Sequence, residues 1–188
     1  GEQLAFNKAP KNLGTYFTLM LQHDDQTFLV YRDERYSFGE VWERANTLAA
    51  ALQTAGIQKG DRVVIAMRNY PEWIFAFIGI SIAGGVVVPL NAWWQGSELA
   101  QAIDDARPKL ALVDEDRHER LKAAGASIER VVVRAKGSVD PWLRYEALVG
   151  DTPLAPQPVD VAADEDATIF YTSGSTANLK ERSRPIVL

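Results

Sequence analysis

The stretch from Trp73 to Leu90, WIFAFIGISIAGGVVVPL, constrains the fold most because it contains no charged side chain. A stretch of this length is almost long enough to cross a bilayer as one helix. Gly84 and Gly85 interrupt it, however, and glycine commonly ends a helix, while Pro89 suits the end of a strand better than the middle of a helix. The pattern favours a buried helix followed by a short buried strand, as in parallel sheets that are covered on both faces.

Helix and strand patterns alternate along the rest of the chain. Ser37 and Glu40 form a capping-box pattern, and apolar residues then recur at steps of three and four toward a stop at Gly56. Pro71 suits the first turn of a second helix, predicted over 71–82, and Ser97 suits the N-cap of a third, which Pro108 closes. Further helices are predicted over 115–124 and 142–149, and strands over 62–67, 86–90, 109–114, 130–134 and 167–172. This alternation predicts an α/β fold, a parallel sheet with helices on both faces.

Composition excludes several kinds of site. The 188 residues include no cysteine, which rules out disulfides and thiolate metal ligands. The two histidines, His23 and His118, are too few for a typical zinc site, so no metal site is predicted. A net charge of −5 argues against nucleic acid as a partner, because a phosphate backbone is usually bound by a basic face. The first residues lack the regions of a signal peptide, so we expect a cytoplasmic protein without a transmembrane segment.

The segment TSGSTANLK follows the last predicted strand and ends at Lys180. Its small residues can turn several backbone N–H groups toward one anion, their hydroxyls add donors, and the lysine adds a positive charge. The spacing differs from GxxxxGK followed by Ser or Thr, which argues against a Walker-type nucleotide-binding protein. An ordinary Ser/Thr/Gly surface turn is the alternative. The candidate phosphate-binding residues are Thr172, Ser173, Gly174, Ser175, Thr176 and Lys180.

This segment and the strand before it resemble the phosphate loop of the adenylate-forming enzymes, which include the AMP-forming acyl-CoA synthetases, the luciferases and peptide-synthetase adenylation domains. The segment GIQKGDRVVIAMRNYPEWIFAFIGISIAGGVVVPLNAWWQGSEL and the upstream YSFGEVWERANTLAAAL are similar to the early region of that superfamily, in the same order. The resemblance extends from Thr15 to Thr176. Within the superfamily, PLNAWW is more similar to the acyl-CoA or fatty-acyl-CoA ligases.

The resemblance implies an incomplete N-terminal domain of the adenylate-forming fold and a two-step reaction. A carboxylate attacks the α-phosphate of Mg·ATP, which gives an acyl-adenylate and pyrophosphate, and the thiol of CoA then takes the acyl group and releases AMP. The residues named above would hold the departing β- and γ-phosphates. The implied cofactors are ATP and Mg, and the implied partners are a small carboxylic acid and CoA. Whether these 188 residues bind nucleotide by themselves stays open.

The sequence departs from the superfamily pattern after Thr176. Ala177 stands where glycine is usual, and Glu181 places a negative charge beside the proposed phosphate site. The superfamily's later segments, including its adenylation lysine, have no counterpart, so no complete catalytic set is predicted. We expect a truncation or a reading-frame change near Ala177 and no adenylate formation by the chain alone. The expected divisions are a flexible start or expression remnant (1–10), an N-terminal α/β subdomain (11–176) and a divergent tail (177–188).

Two alternatives stand beside an inactive synthetase fragment. One is a non-catalytic module that binds nucleotide or phosphate through the same loop, and the other is an interaction subunit that another chain completes in trans. A fragment would also expose apolar faces that a complete enzyme covers, so we expect self-association, in its simplest form a homodimer.

Two acidic clusters contain residue types that bind metals or act as acids and bases. Asp114, Glu115, Asp116 and His118 occur in VDEDRHER, but acids at the positive end of a helix indicate a solvated helix start. The acids at 164–166 precede the last predicted strand and are interpreted as a solvated loop, because nothing in the sequence indicates that they are buried.

Two aromatic residues and one charged turn complete the candidates. Trp93 and Trp94 are adjacent after a strand, so their side chains are expected to point in different directions, one into the core and one to the surface. The charged run at 32–35 is interpreted as a hairpin turn without a further role.

Overall fold

The computed structural model of the protein describes residues 10–137, 139–150 and 155–171. Within these ranges, an antiparallel hairpin pairs β1 (Thr27–Tyr31) with β2 (Glu34–Ser37). A parallel sheet contains β3 (Arg62–Ala66), β4 (Val86–Pro89), β5 (Leu110–Asp114) and β6 (Arg130–Val133). The helices are α1 (Leu13–Phe17), α2 (Phe38–Thr54), α3 (Pro71–Ile82), α4 (Gly96–Ala106), α5 (Glu115–Ala123) and α6 (Tyr145–Val149), with 3₁₀ helices at Thr18–His23 and Pro141–Leu143.

The parallel strands lie side by side in the order β4–β3–β5–β6. Successive side chains of a strand point to opposite faces of the sheet. Val63 and Ile65 therefore pack against α2 and α3, whereas Val64 and Ala66 pack against α4 and α5. All five residues of β5 are buried because helices cover both faces. This three-layer arrangement confirms the predicted α/β fold class.

The predicted helix signals have the expected geometry at α2 and α3. The Glu40 backbone N–H donates to Ser37 Oγ over 3.1 Å, and the Ser37 N–H donates to the Glu40 carboxylate over 2.7 Å, which completes the capping box. Gly56, just beyond α2, has a φ of 90°, which glycine adopts without strain. The bounds of α3 match the prediction, so the uncharged stretch is divided into α3 and β4. No helix in the described part of the chain is long and apolar enough to cross a membrane.

A glycine sets the distance between α2 and α3. A Cβ atom added at Gly79 would lie 2.9 Å from the Ala45 carbonyl oxygen and 3.3 Å from the Leu48 side chain. Real Cβ atoms do not approach other heavy atoms that closely, so the two helices can pack in this way only with glycine at this position. The contact fixes α3, and with it the loop that connects β3 to α3, against the helix before it.

Three predictions about local structure were wrong. Ser97 is not an N-cap, because α4 begins at Gly96 and the Glu98 carboxylate accepts a hydrogen bond of 2.8 Å from the Gln95 N–H. The predicted helix over 142–149 is interrupted because Arg144 is extended, with a ψ of 145°. The predicted strand over 167–172 pairs with β4 at a single bridge, between Thr168 and Val87, within its described part.

Candidate functional site

The loops that follow the four parallel strands meet at one end of the sheet, which we call the carboxyl edge. Arg68 follows β3, Ala92 follows β4, Asp114 ends β5 and Arg134 follows β6. The chain passes from β3 to β4 in one direction and then crosses to β5 on the other side of β3. Ligands of open α/β sheets bind at the carboxyl ends of strands where the winding direction changes. The carboxyl edge is therefore the candidate functional site.

A buried ion pair lies where the winding direction changes. Arg117 Nη1 is 3.0 Å from Asp114 Oδ2, and the two side chains are only 3% and 6% exposed. The same Asp114 oxygen accepts a 3.0 Å hydrogen bond from the Arg68 N–H, and its other oxygen caps α5 by accepting from the Arg117 N–H. Arg117 Nε also donates to the Ala92 carbonyl oxygen over 2.7 Å. One ion pair thus joins the loops after β3 and β4 to the start of α5.

A second arginine of α5 holds the loop after β4 further along. Arg120 Nη1 donates to the Trp94 carbonyl oxygen over 2.8 Å, and its other nitrogens pair with Asp116. The Trp94 side chain is buried and packs edge-to-face on Tyr171, with ring centroids 6.3 Å apart. The Tyr171 hydroxyl donates to the Asp105 carboxylate over 2.7 Å. Burial is the main cause of the raised pKa of this phenol, and the hydrogen bond to Asp105 raises the pKa further.

A third arginine, Arg68, lies at the same edge and contacts an aromatic ring. The Arg68 guanidinium lies over the Trp93 ring, 3.8 Å from its centroid. No acidic side chain in the described part of the chain is within ion-pair distance of Arg68. Trp93 is 68% exposed, whereas Trp94 belongs to the core, which confirms that one of these two aromatic residues is buried and the other is at the surface.

Arg134 forms a second ionic cluster at the far side of the edge. Its guanidinium donates to both carboxylate oxygens of Glu34 over 2.7 Å and to both oxygens of Glu72 over 2.9 and 3.0 Å. It also lies 5.0 Å from the Tyr31 ring centroid and 5.2 Å from that of Tyr70. The cluster ties the β1–β2 hairpin to β6 and α3. The interpretation of residues 32–35 as a turn without a further role is therefore wrong at Glu34.

The charges of this cluster perturb its titratable groups. Hydrogen bonding from Arg134, and then from Tyr36, lowers the pKa of Glu34 to about 2. Burial, and then its hydrogen bond to Glu34, raises the pKa of Tyr36 to about 12. The hydrogen bond with Glu34 raises the pKa of Arg134 above its ordinary value. Glu34 and Arg134 are therefore both charged at neutral pH, while Tyr36 is neutral.

An apolar groove of about 350 Å³ adjoins the Arg134 cluster. It lies between β1 and the start of α3, and Val30, Tyr31, Tyr70 and Trp73 are among the residues that line it. Its lining contains no charged side chain, so the groove suits apolar contact rather than a phosphate or a carboxylate.

All six candidate phosphate-binding residues lie outside the described residues: Thr172, Ser173, Gly174, Ser175, Thr176 and Lys180. The chain just before them is described. The Val87 N–H donates to the Ala167 carbonyl oxygen over 3.0 Å, and the Ile169 N–H donates to the Val87 carbonyl oxygen over 2.9 Å. This segment therefore runs parallel to β4, and Tyr171 approaches the carboxyl edge next to Trp94.

The acidic cluster at the start of α5 differs from its prediction. Asp114 and His118 are 4% and 6% exposed, so the interpretation as a solvated helix start is wrong for both. Burial, and then Arg130, lowers the pKa of His118, whose Nδ1 has no hydrogen-bond partner among the described residues. At the other cluster, Asp164 and Asp166 are exposed as predicted, and Glu165 pairs with Lys59 at 2.7 Å.

A metal site is not formed by the described residues. They contain no group of three or more acidic or histidine side chains placed to hold a metal ion. Asp114, the buried carboxylate at the carboxyl edge, already accepts from Arg117 and from the Arg68 N–H. The residues that the structure describes therefore do not fit a magnesium ion, and no chemical step is assigned to one.

Sequence reasoning missed the ion pair of Asp114 and Arg117. The available signal was an aspartate at the N-cap position of a helix, followed by arginine three residues later, directly after a fully apolar strand. Such pairs are common on exposed helix surfaces. The loops that bury this one, at Arg68 and Ala92, come from earlier in the chain.

Comparison with protein families gives a match that covers most of the chain. The model of the AMP-binding enzyme family matches residues 19–181. The 4-hydroxybutyrate–CoA ligase 2 of Metallosphaera sedula is 29% identical over 163 residues, a region that covers 81% of this chain and 30% of the relative. The 4-coumarate–CoA ligase 3 of Arabidopsis thaliana is 27% identical and is matched over 25% of its length. The chain thus spans about a third or less of these curated relatives.

Solved structures show the same fold. A crystal structure of the anthranilate CoA ligase AuaEII in complex with anthranoyl-AMP superposes with a TM-score of 0.82 at 19% identity, over 93% of this chain and 35% of that one. The N-terminal subdomain of Klebsiella oxytoca NpsA superposes with a TM-score of 0.72 at 21% identity, over 92% of this chain and 41% of that one.

Proposed function

Because the chain belongs to the AMP-binding enzyme family, we propose that it forms the N-terminal part of an ATP-dependent, AMP-forming acyl-CoA synthetase. The overall reaction converts a carboxylic acid, ATP and CoA into acyl-CoA, AMP and pyrophosphate. CoA ligases among the relatives support this reaction class. ATP and CoA are metabolites of the cell interior, and the proposed location of the reaction is the cytoplasm.

The observation that carries the proposal is the direction of the chain between Ala167 and Tyr171. This segment bridges β4 in parallel and reaches the carboxyl edge directly before the predicted phosphate loop. The predicted loop follows Tyr171 directly in sequence, and this supports a ligand site at the end of the sheet where α/β folds bind ligands. In the proposed reaction, its N–H and hydroxyl groups and Lys180 stabilise the negative charge that builds on the departing pyrophosphate.

We further propose that these 188 residues bind phosphate but form no adenylate on their own. At the carboxyl edge, the carboxylates of Asp114, Glu34 and Glu72 are each paired with an arginine. Catalysis requires several groups held within about half an ångström of their productive positions. A chain that spans about a third of its relatives supplies only part of such a set.

Calorimetric titration of the chain with pyrophosphate and with MgATP tests the phosphate site. We expect weak binding of pyrophosphate that Lys180→Ala abolishes. The matched control is Lys122→Ala, which removes an exposed lysine in the last turn of α5, away from the carboxyl edge, and should leave binding unchanged. Failure of the unsubstituted chain to bind pyrophosphate would contradict the phosphate site.

An exchange assay between ATP and pyrophosphate, run with fatty and aromatic acids, tests the predicted lack of turnover. We expect no exchange above the blank for the chain alone. Robust exchange with any of the acids would disprove the inactivity and would leave the assignment to the synthetases intact.

Association of two copies is a separate part of the proposal. Exposed apolar side chains concentrate in the first part of the described chain, at Tyr16, Leu19, Leu21, Phe28 and Val30. Contiguous exposed apolar surface commonly marks a protein contact. Light scattering across a concentration series tests this part, and a monomer at the highest concentration would contradict it.

A further inference from the structure

We propose that Arg117 and Arg120 of α5 are positioning residues, which set where Tyr171 leads the chain into the predicted phosphate loop. The inference rests on the proposed function for the role of that loop. The contacts that carry it lie entirely among described residues, from α5 through the loop after β4 to Tyr171.

The first step is the attachment of the loop after β4 to α5. Arg117 donates to the Ala92 carbonyl oxygen through both Nε and Nη2, and Arg120 donates to the Trp94 carbonyl oxygen over 2.8 Å. Two planar guanidinium groups therefore hold two backbone oxygens that are two residues apart. An added Cβ at Gly96 would lie 2.5 Å from the Arg120 carbonyl oxygen, so the start of α4 is also in close contact with α5.

The second step is the contact between Trp94 and Tyr171. Trp94 is 8% exposed and presents its ring to Tyr171 at an interplanar angle of 74°. The Tyr171 hydroxyl is fixed by Asp105 on α4. The bridge at Thr168 is isolated, so the sheet itself holds this segment through one residue of β4, and the aromatic contact supplies the next point of attachment.

The third step explains why an ion pair, rather than apolar side chains, occupies the position of Asp114 and Arg117. A buried ion pair is often no more stabilising than apolar residues of the same volume, because both charges must be desolvated. Here the donors and acceptors of the pair contact backbone atoms of two loops, at Arg68 and Ala92. An apolar substitute could fill the space but could not fix those atoms. The ion pair therefore gives the loop after β4 a defined position. Trp94 of that loop contacts Tyr171, and a phosphate-binding segment that follows Tyr171 requires such a defined position.

Amide hydrogen exchange measured by NMR on the full chain tests the inference. The reporter is the Ile169 N–H, which is bonded to the Val87 carbonyl oxygen. In Arg120→Met we expect this amide to exchange roughly tenfold faster, as for the loss of one charge-assisted hydrogen bond. The Leu112 amide in the buried centre of the sheet reports global unfolding and should change much less.

Arg134→Met is the matched control. Arg134 and Arg120 are similarly exposed, at 27% and 28%, and both pair with carboxylates, but the ion pairs of Arg134 among the described residues are with the hairpin and α3. This variant should speed exchange in β2 and leave Ile169 unchanged. If Arg120→Met fails to fold, Arg120→Lys replaces it, since lysine keeps the charge near Asp116 but loses the planar fork.

The outcomes separate this inference from the proposed function. Unchanged exchange at Ile169 in a folded Arg120 variant, or an equal acceleration at Ile169 and Leu112, would overturn the positioning role. Pyrophosphate binding by the unsubstituted chain is measured separately, and its absence would contradict the phosphate site without altering the exchange result. Selective acceleration at Ile169 supports the positioning role.

Discussion

Arg117 and Arg134 lie at the same edge of the sheet, yet their surroundings are opposite. Arg117 is 3% exposed and pairs with the buried Asp114 at the start of the same helix, and its Nη1 also lies 3.1 Å from the exposed Asp116 carboxylate. Arg134 is 27% exposed and pairs with Glu34, which lies 100 residues away in sequence, and with Glu72. The buried pair fixes loops within the α/β layer, whereas the partly exposed cluster attaches a separate hairpin to that layer. Burial, rather than the number of ionic contacts, should decide which arginine matters more for stability.

The comparison is tested most severely by Arg117→Met. Removing one partner leaves the Asp114 carboxylate buried without its counter-ion, which typically costs about 3–5 kcal/mol. We expect a loss of that size in the free energy of unfolding, measured by urea denaturation. The double variant with Asp114→Asn should recover part of the loss, because asparagine is neutral and still caps α5. A loss below about 1 kcal/mol would place this pair with ordinary surface ion pairs and remove the contrast.

Arg134→Met should have a smaller and more local effect. Hydrogen bonds to charged groups contribute about 1.5–3 kcal/mol, and solvent screening at a partly exposed site reduces this, so we expect a loss of about 1–2 kcal/mol in urea denaturation. Arg35→Met, an exposed arginine on the same hairpin, should change the free energy of unfolding by less than about 0.5 kcal/mol. An Arg134 effect equal to that of Arg117 would show that burial does not separate the two sites.

Acid should weaken the Arg134 cluster. Arg134 and Tyr36 lower the pKa of Glu34 to about 2 in the folded chain. A carboxyl group with a lowered pKa stabilises the fold above its unfolded pKa, and that contribution is lost as the pH falls through the folded value. The difference in free energy of unfolding between the unsubstituted chain and Arg134→Met should therefore narrow between about pH 5 and pH 2.

The control for this titration is Glu34→Gln. Glutamine does not titrate, so in that background the effect of Arg134→Met should depend much less on pH. A difference that stays constant down to about pH 2 in the original background would mean that Glu34 does not supply the linkage.

The contrast between the two arginines also separates what the sequence predicts from what it does not. Pro71 and Gly84 are local signals, and the bounds of α3 follow from them to the residue. The capping box of Ser37 and Glu40 is local as well. Apolar patterns are local signals too. A strand that is buried on both faces must be apolar throughout, so an apolar run predicts a strand that helices cover on both sides.

The ionic sites depend on residues that the fold brings together from distant parts of the chain. The sequence DEDRHER is compatible with a solvated helix start until the loops at Arg68 and Ala92 cover Asp114 and Arg117. The sequence around Glu34 predicts only a turn, and the contact with Arg134, which follows β6, becomes evident in the folded structure. The local sequence at either site does not indicate which distant residues will contact it. The predicted phosphate loop differs from these ionic sites, because its sequence pattern is local. Its residues lie outside those that the structure describes.

Arg68 extends the comparison to a cation that stacks on an aromatic ring. It lies 3.8 Å from the centroid of Trp93, which is 68% exposed. Cation–π contacts at exposed sites contribute about 0.5–1 kcal/mol, so Trp93→Leu should lower the free energy of unfolding by about that amount in urea denaturation. Trp142→Leu is the matched control, because Trp142 is 72% exposed and no cation among the described residues stacks on it. The order of the effects at Arg117, Arg134 and Trp93 would then follow the exposure of these side chains, which is 3%, 27% and 68%. A Trp93 effect larger than that of Arg134→Met would mean that aromatic stacking holds this edge more firmly than the hairpin ion pairs.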